Sequence, residues 1–90
     1  MRRDDRTDAN QADIVQALRA VGATVRLIRS VHRGCPDLLV GFRRETYLME
    51  VKTEKGQLNR GQRQWHRGWQ GRPVHVVKTR EQALRAIGAI

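Results

Sequence analysis

Sulfur is scarce in this chain, and long apolar runs are absent. Its 90 residues include a single cysteine, Cys35, so no internal disulfide can form, which fits a reducing compartment. One cysteine and three scattered histidines also give no zinc-ligand spacing. No apolar stretch approaches the ~20 residues needed to span a bilayer. No amphipathic stretch sets a long basic face against large apolar residues, which argues against a membrane-surface role. The charged opening Met1-Arg2-Arg3-Asp4-Asp5-Arg6, with no apolar stretch after it, does not resemble a secretion signal. A cytoplasmic protein is expected. Acid is scarce as well: nine Asp and Glu stand against eighteen Lys and Arg, leaving a net charge of +9. Most of that excess is arginine, whose planar fork suits phosphate oxygens. Such an excess on so small a chain points to nucleic acid, bound largely through counterion release.

Length allows one domain, and one with a marginal core: a chain this short buries only ~60% of the surface its unfolded form exposes. Association into a homodimer is therefore expected. Residues 1 to 8 read as a polar arm, with residues 9 to 90 forming the domain. A helix is predicted from about Asn10 to Val21, capped by Asn10, with Ile14, Val15, Ala17, Leu18 and Val21 as its apolar stripe. Val25 to Val31 reads as a first strand, and Asp37 to Phe42 as a second, buried on both faces. Arg43 to Glu45 form a hairpin turn, and Tyr47 to Thr53 the third strand. Asn59 to about Gln70 is a second helix, Val74 to Val77 a fourth strand, and Thr79 with Gln82 begins a last helix with a capping box. The order is α-β-β-β-α-β-α. The third strand, second helix and fourth strand form a crossover unit, which requires parallel strands. The expected class is α/β, a mixed sheet flanked by helices.

Strand alternation places the chemistry. Glu50 and Lys52 share one face of the third strand while Val51 takes the other, and the short hairpin sets Asp37 near Glu50. Two carboxylates among Leu38, Leu39, Val40, Leu48, Met49 and Val51 repel each other, and one would tend to hold its proton. A divalent cation removes that conflict. Two carboxylates, the Val51 backbone carbonyl and water are the oxygen donors Mg²⁺ prefers, and Mn²⁺ is the alternative ion. Such an ion would polarise a phosphodiester and activate water, with Lys52 orienting that water or stabilising developing charge. The same geometry also allows a purely structural arrangement, in which Lys52 neutralises Glu50 and Asp37 caps a turn after Pro36.

One resemblance favours the chemical reading. Gly34-Cys35-Pro36-Asp37-Leu38, Glu50-Val51-Lys52 after twelve intervening residues, and Leu58, Gln62 and Trp65 beyond resemble the VRR-NUC branch of the PD-(D/E)XK nucleases. That likeness spans roughly residues 10 to 88. It implies a restriction-endonuclease-like fold and a metal-dependent DNA endonuclease without an organic cofactor. It further implies that Asp37 and Glu50 are metal ligands and that Lys52 and Gln62 are catalytic-site residues. Asp13 stands where the family more often has Glu; being a methylene shorter, it implies a link to the metal through water. In this sequence Asp13 also fits the N3 position of a helix capped by Asn10. Stand-alone domains of this kind resemble phage or bacterial enzymes acting on branched DNA. A dimer would set two sites on a two-fold symmetric four-way junction. Two other functions compete: a non-catalytic basic DNA-binding module, and a sequence-directed restriction-type nuclease, for which the chain has no sizeable specificity insertion.

The remaining candidates are DNA contacts. His32 and Arg33 precede the Gly-Cys-Pro-Asp turn, Arg43 and Arg44 lie on the hairpin, and Arg60, Arg63 and Arg67 lie on the second helix, all as phosphate contacts. Trp65 and Trp69, one helical turn apart, are expected to pack the second helix onto the sheet. His66 and His75 have no evident partner.

Overall fold

Alternating apolar residues in the middle of the chain produce a four-stranded sheet whose buried face is covered by two helices. The computed structural model describes residues 5–90, with side chains from Thr7. The elements are α1 (Asp5–Ala20), β1 (Thr24–Leu27), β2 (Leu38–Phe42), β3 (Glu45–Val51), α2 (Arg60–Gly68), β4 (His75–Val77) and α3 (Arg80–Ala86). The strands lie in the order β1-β2-β3-β4. The first three are antiparallel, and β3 pairs with β4 in parallel, as a crossover through α2 requires. Among the described residues, no helix is long and apolar enough to cross a membrane.

Ile14 and Leu18 of α1 and Ala83 and Ile87 at α3 pack on Val25, Leu38, Val40, Met49, Val51 and Val77. Burying each of the larger side chains stabilises the fold by ~1.5–3 kcal/mol. Because Met49 and Val51 face this layer, Glu50 between them points to the opposite side of the sheet. That side carries α2 and the site.

Several boundaries differ from the sequence expectation. The first helix starts by Asp5, so the stretch expected as an arm reaches into it, and residues 1–4 lie outside the described residues. Asn10 is not a cap. Its amide donates to the carbonyls of Lys52 (2.8 Å) and Lys78 (3.0 Å), holding α1 to the ends of β3 and β4. These tertiary partners use the Asn side chain, and the helix runs through it. It follows that Asp13 is not at N3. The first strand stops at Leu27, after which the Ile28 amide still reaches the Asp37 carbonyl before a turn carries Val31 out to 74% exposure. Strand β2 is buried on one face only: Leu38 and Val40 are fully covered and Leu39 is exposed, since the helices supply apolar cover on one side. Arg43 and Arg44 form a two-residue turn, both with positive φ (49° and 67°), a conformation that costs a non-glycine residue about 1–2 kcal/mol. The right-handed twist of the hairpin favours a turn of this hand.

Helix α2 begins with a reciprocal cap: the Asn59 side chain accepts from the Gln62 amide, and the Gln62 side chain accepts from the Asn59 amide. In α3 the Thr79 hydroxyl accepts from the Gln82 amide, while the Gln82 side chain accepts from Lys78, one residue before the expected partner.

Candidate active site

The last register pair of the β2–β3 ladder is Leu38 with Met49, so one step further sets Asp37 opposite Glu50. Asp37 is 4% exposed and Glu50 1%, and both are charge-bearing side chains on the α2 side of the sheet. Asp37 Oδ2 accepts from the Val51 N–H at 2.8 Å, replacing the backbone acceptor that β2 no longer offers there. Its own carbonyl accepts from Ile28, so Asp37 is held from β1 and β3 at once. The N–H and C=O of a strand residue point to the same side, which directs the Val51 carbonyl toward Asp37. The Lys52 amide turns the other way, to the Val77 carbonyl at 3.0 Å.

Glu50 is gripped by one face of α2. Gln62 Nε2 donates to Glu50 Oε2 at 3.2 Å, and His66 Nε2 stands 3.5 Å from Glu50 Oε1. That nitrogen is buried and has no hydrogen-bond partner among the described residues. Burial first, and then the nearby Lys52 ammonium, hold His66 below its ordinary pKa and favour the neutral ring. Strand alternation assigns the Lys52 side chain to the same face as Glu50. Cys35 is buried next to the carboxylates: burial, then the charges of Glu50 and Asp37, push its thiol pKa up.

Gly34 makes this assembly possible. Its φ is +80°, and a Cβ there would lie 2.6 Å from the Gly61 carbonyl oxygen and 3.4 Å from Trp65 Cβ. Only glycine lets the loop before Asp37 lie against the start of α2 so closely. That contact brings Gln62 and His66, one turn apart, over Glu50.

The donors fit a hard divalent cation. Asp37 and Glu50 offer carboxylate oxygens from opposing register positions, and the Val51 carbonyl points to the same side. Among the described residues no three His, Cys, Asp or Glu side chains form a metal-holding group, so the remaining positions would fall to water and phosphate oxygens, as Mg²⁺ commonly allows.

Other expected site residues lie apart. Asp13 pairs with Arg80 at 3.5 Å, both about half exposed. His32 is exposed, its Nδ1 3.0 Å from the Arg33 carbonyl. Arg60, Arg63 and Arg67 project from the outer side of α2, exposed, with Arg63 donating to the Leu58 carbonyl. Arg43 and Arg44 sit at the far end of the hairpin, ~20 Å from Asp37 along β2 at ~3.3 Å per residue. The two tryptophans do not join the core: Trp65 is half-buried, Trp69 just past α2 is exposed, and neither packs on the core cluster. His66 is the residue sequence reasoning missed, and its spacing of four from Gln62 on one helical face is the signal that marks it.

No family model matches the chain, and no protein of curated function matches it. A solved structure described as a VRR-NUC domain is similar at 27% identity and a TM-score of 0.77, over 93% of this chain and 96% of that one. The likeness supports the VRR-NUC family.

Proposed function

We propose that this chain, a VRR-NUC-type nuclease domain by fold, is a divalent-metal-dependent DNA endonuclease selective for branched DNA such as four-way junctions. The observation that carries the reading is the burial of Asp37 and Glu50 directly opposite each other at the end of the β2–β3 ladder, with Lys52 on the face of Glu50. Buried carboxylates side by side are costly without a cation between them.

In this reading Asp37, Glu50 and the Val51 carbonyl hold Mg²⁺ or Mn²⁺, which when bound polarises the scissile phosphodiester and lowers the pKa of water. Lys52 orients the attacking water and stabilises charge gathering on the phosphate oxygens. Gln62 and His66 hold the Glu50 carboxylate in one orientation, as outer partners of metal ligands do. Arg60, Arg63 and Arg67 draw the DNA backbone along the outside of α2, and His32 and Arg33 meet phosphate on the neighbouring loop. Arg43 and Arg44 touch the same DNA well away from the cut. Asp13, paired with Arg80, acts at most through water.

A homodimer matches the symmetry of a junction, and the exposed apolar side chains of Leu27 and Val31 beside edge strand β1 offer surface for a second copy.

The test is cleavage of an end-labelled four-way junction with Mg²⁺ or Mn²⁺, beside a linear duplex of the same sequence. Symmetric, metal-dependent cuts on the junction with the duplex spared are expected. Binding without cutting under either ion would replace the enzyme with a DNA-binding module.

A further inference from the structure

Helix α2 places its two largest side chains where a core has no use for them. The Trp65 and Trp69 rings lie nearly parallel, 17° apart, with centroids at 4.8 Å. Trp69 is 45% exposed, Trp65 is only half-buried, and neither ring belongs to the core cluster. The outer ring is nonetheless held in place. A Cβ on Gly71 would lie 2.7 Å from Trp69 Nε1, so the chain after the helix runs tightly along the indole edge. Trp65 in turn sits against Gly34 and meets His66 edge-on at 6.4 Å between ring centres. An exposed indole that is stacked on one side and braced at its edge is preorganised to receive a flat apolar partner.

Charge says which partner. Exposed Arg63 and Arg67 lie on the helix just before the outer ring, whereas Arg72 after it is taken up by Glu45 at 3.3 Å. A flat apolar ring with a phosphate attached is a nucleotide. In a paired duplex both faces of each base are already covered by its neighbours, so the ring open to Trp69 belongs to an unpaired or terminal base.

Resting on the reading of this chain as a DNA-acting nuclease, we propose that the Trp65–Trp69 stack is a base-binding platform that takes one unpaired nucleobase of the strand passing through the site. Contacts of 3.5, 6.4 and 4.8 Å lead in succession from Glu50 through His66 and Trp65 to Trp69. The platform therefore lies no more than about five base steps from the carboxylates, at ~3.4 Å per step. Structure selectivity would then come from a base that only a branch, flap or end makes available, which suits a domain too small for reading sequence in the grooves. Stacking tolerates any base, because each presents a π face.

The two tryptophans of the chain are both in this stack, so tryptophan emission, excited at the red edge where Tyr47 does not absorb, reports on the platform alone. The experiment titrates the full chain, with divalent ions chelated to prevent cutting, with an oligothymidylate and with a blunt duplex closed by hairpins at both ends. Tryptophan emission and the anisotropy of a label on the DNA are followed together. Oligothymidylate should quench the emission as it binds, while the closed duplex binds without quenching. Trp69→Ala should weaken oligothymidylate binding about five- to one-hundred-fold and leave duplex binding within about two-fold, and Trp69→Phe should restore most of the loss. Because Trp69 is exposed, circular dichroism of the variant should match that of the parent. Oligothymidylate binding seen by anisotropy with unchanged emission would overturn the platform and leave the nuclease reading intact. Absence of binding to either DNA would overturn the DNA-acting reading and the platform with it.

Discussion

The Asp37 carboxylate accepts the Val51 N–H at 2.8 Å, so the residue that precedes β2 completes the hydrogen bonding at the end of β3. One carboxylate oxygen is structural, and the proposed metal ligation would rest on the other. Asp37→Ala leaves a buried donor without its acceptor, a loss of about 1–3 kcal/mol. Its melting temperature should fall by ~4–8 °C per kcal/mol. Asp37→Asn keeps an oxygen for Val51, so it should melt close to the parent while cleaving ~100-fold or more slowly, the scale of losing one charge-stabilising group. Equal melting of the two variants would remove the structural half of this account.

Lys52 separates chemistry from affinity. With seventeen other basic residues on the chain, Lys52→Ala should leave DNA binding nearly intact, its salt slope changed by no more than about 1. Cleavage should fall by ~100-fold or more. Parallel losses of binding and cutting would make Lys52 one more phosphate contact.

Gln62 and His66 contact Glu50 and, in the proposed reading, would act on a bound metal through it. Replacing either with Ala should weaken Mn²⁺ binding, followed by calorimetry in the absence of DNA, by ~10–100-fold. Gln62 also closes the cap of α2 with Asn59, so Gln62→Ala should lower the melting temperature further than His66→Ala does. Unaltered Mn²⁺ affinity in both variants would leave the pair a packing role only.

Gly34 and Gly22 make a controlled comparison. Both have positive φ, but a Cβ on Gly22 meets open space whereas one on Gly34 runs into the Gly61 carbonyl. Gly22→Ala should cost about 1–2 kcal/mol, the conformational penalty alone. Gly34→Ala should cost more, and should also reduce cleavage by moving α2 away from Glu50. Melting curves and rates on both variants decide it.

Cys35 should react slowly. It is 8% exposed, and its thiol pKa is raised by burial and then by Glu50 and Asp37, so little thiolate exists near neutral pH. Alkylation by iodoacetamide should be far slower in the native chain than in urea and should accelerate as pH rises. Native and denatured rates that agree would contradict the packing around the site.

Much of this arrangement is legible in the residues themselves. The reciprocal cap of Asn59 with Gln62 is not part of the sequence reading, whereas the hairpin, the parallel β3–β4 pair and the cap at Thr79 follow from local chemistry. So does the placement of Asp37 and Glu50, since strand alternation and a short hairpin leave few choices. The errors arise where distant segments meet. Asn10 looks like a cap until the ends of β3 and β4 supply its partners. Asp13 follows it, and finds Arg80 from the far end of the chain. The tryptophans look like core because large rings usually are, and only the position of α2 over a charged site shows otherwise. His66 shares a helical face with Gln62 in the sequence, but its partner Glu50 is unreadable without that same position.

The register of the β2–β3 hairpin has a further consequence for quality control. Because side chains alternate, a slip of β3 by one residue would drive Glu50 into the layer of Ile14, Leu18 and Ala83 and turn Val51 outward. A buried unpaired charge is among the costliest defects a small domain can carry. A register slipped by one residue is therefore strongly disfavoured, which keeps Asp37 and Glu50 on the α2 side of the sheet. The charge proposed to hold the metal would also proofread the sheet.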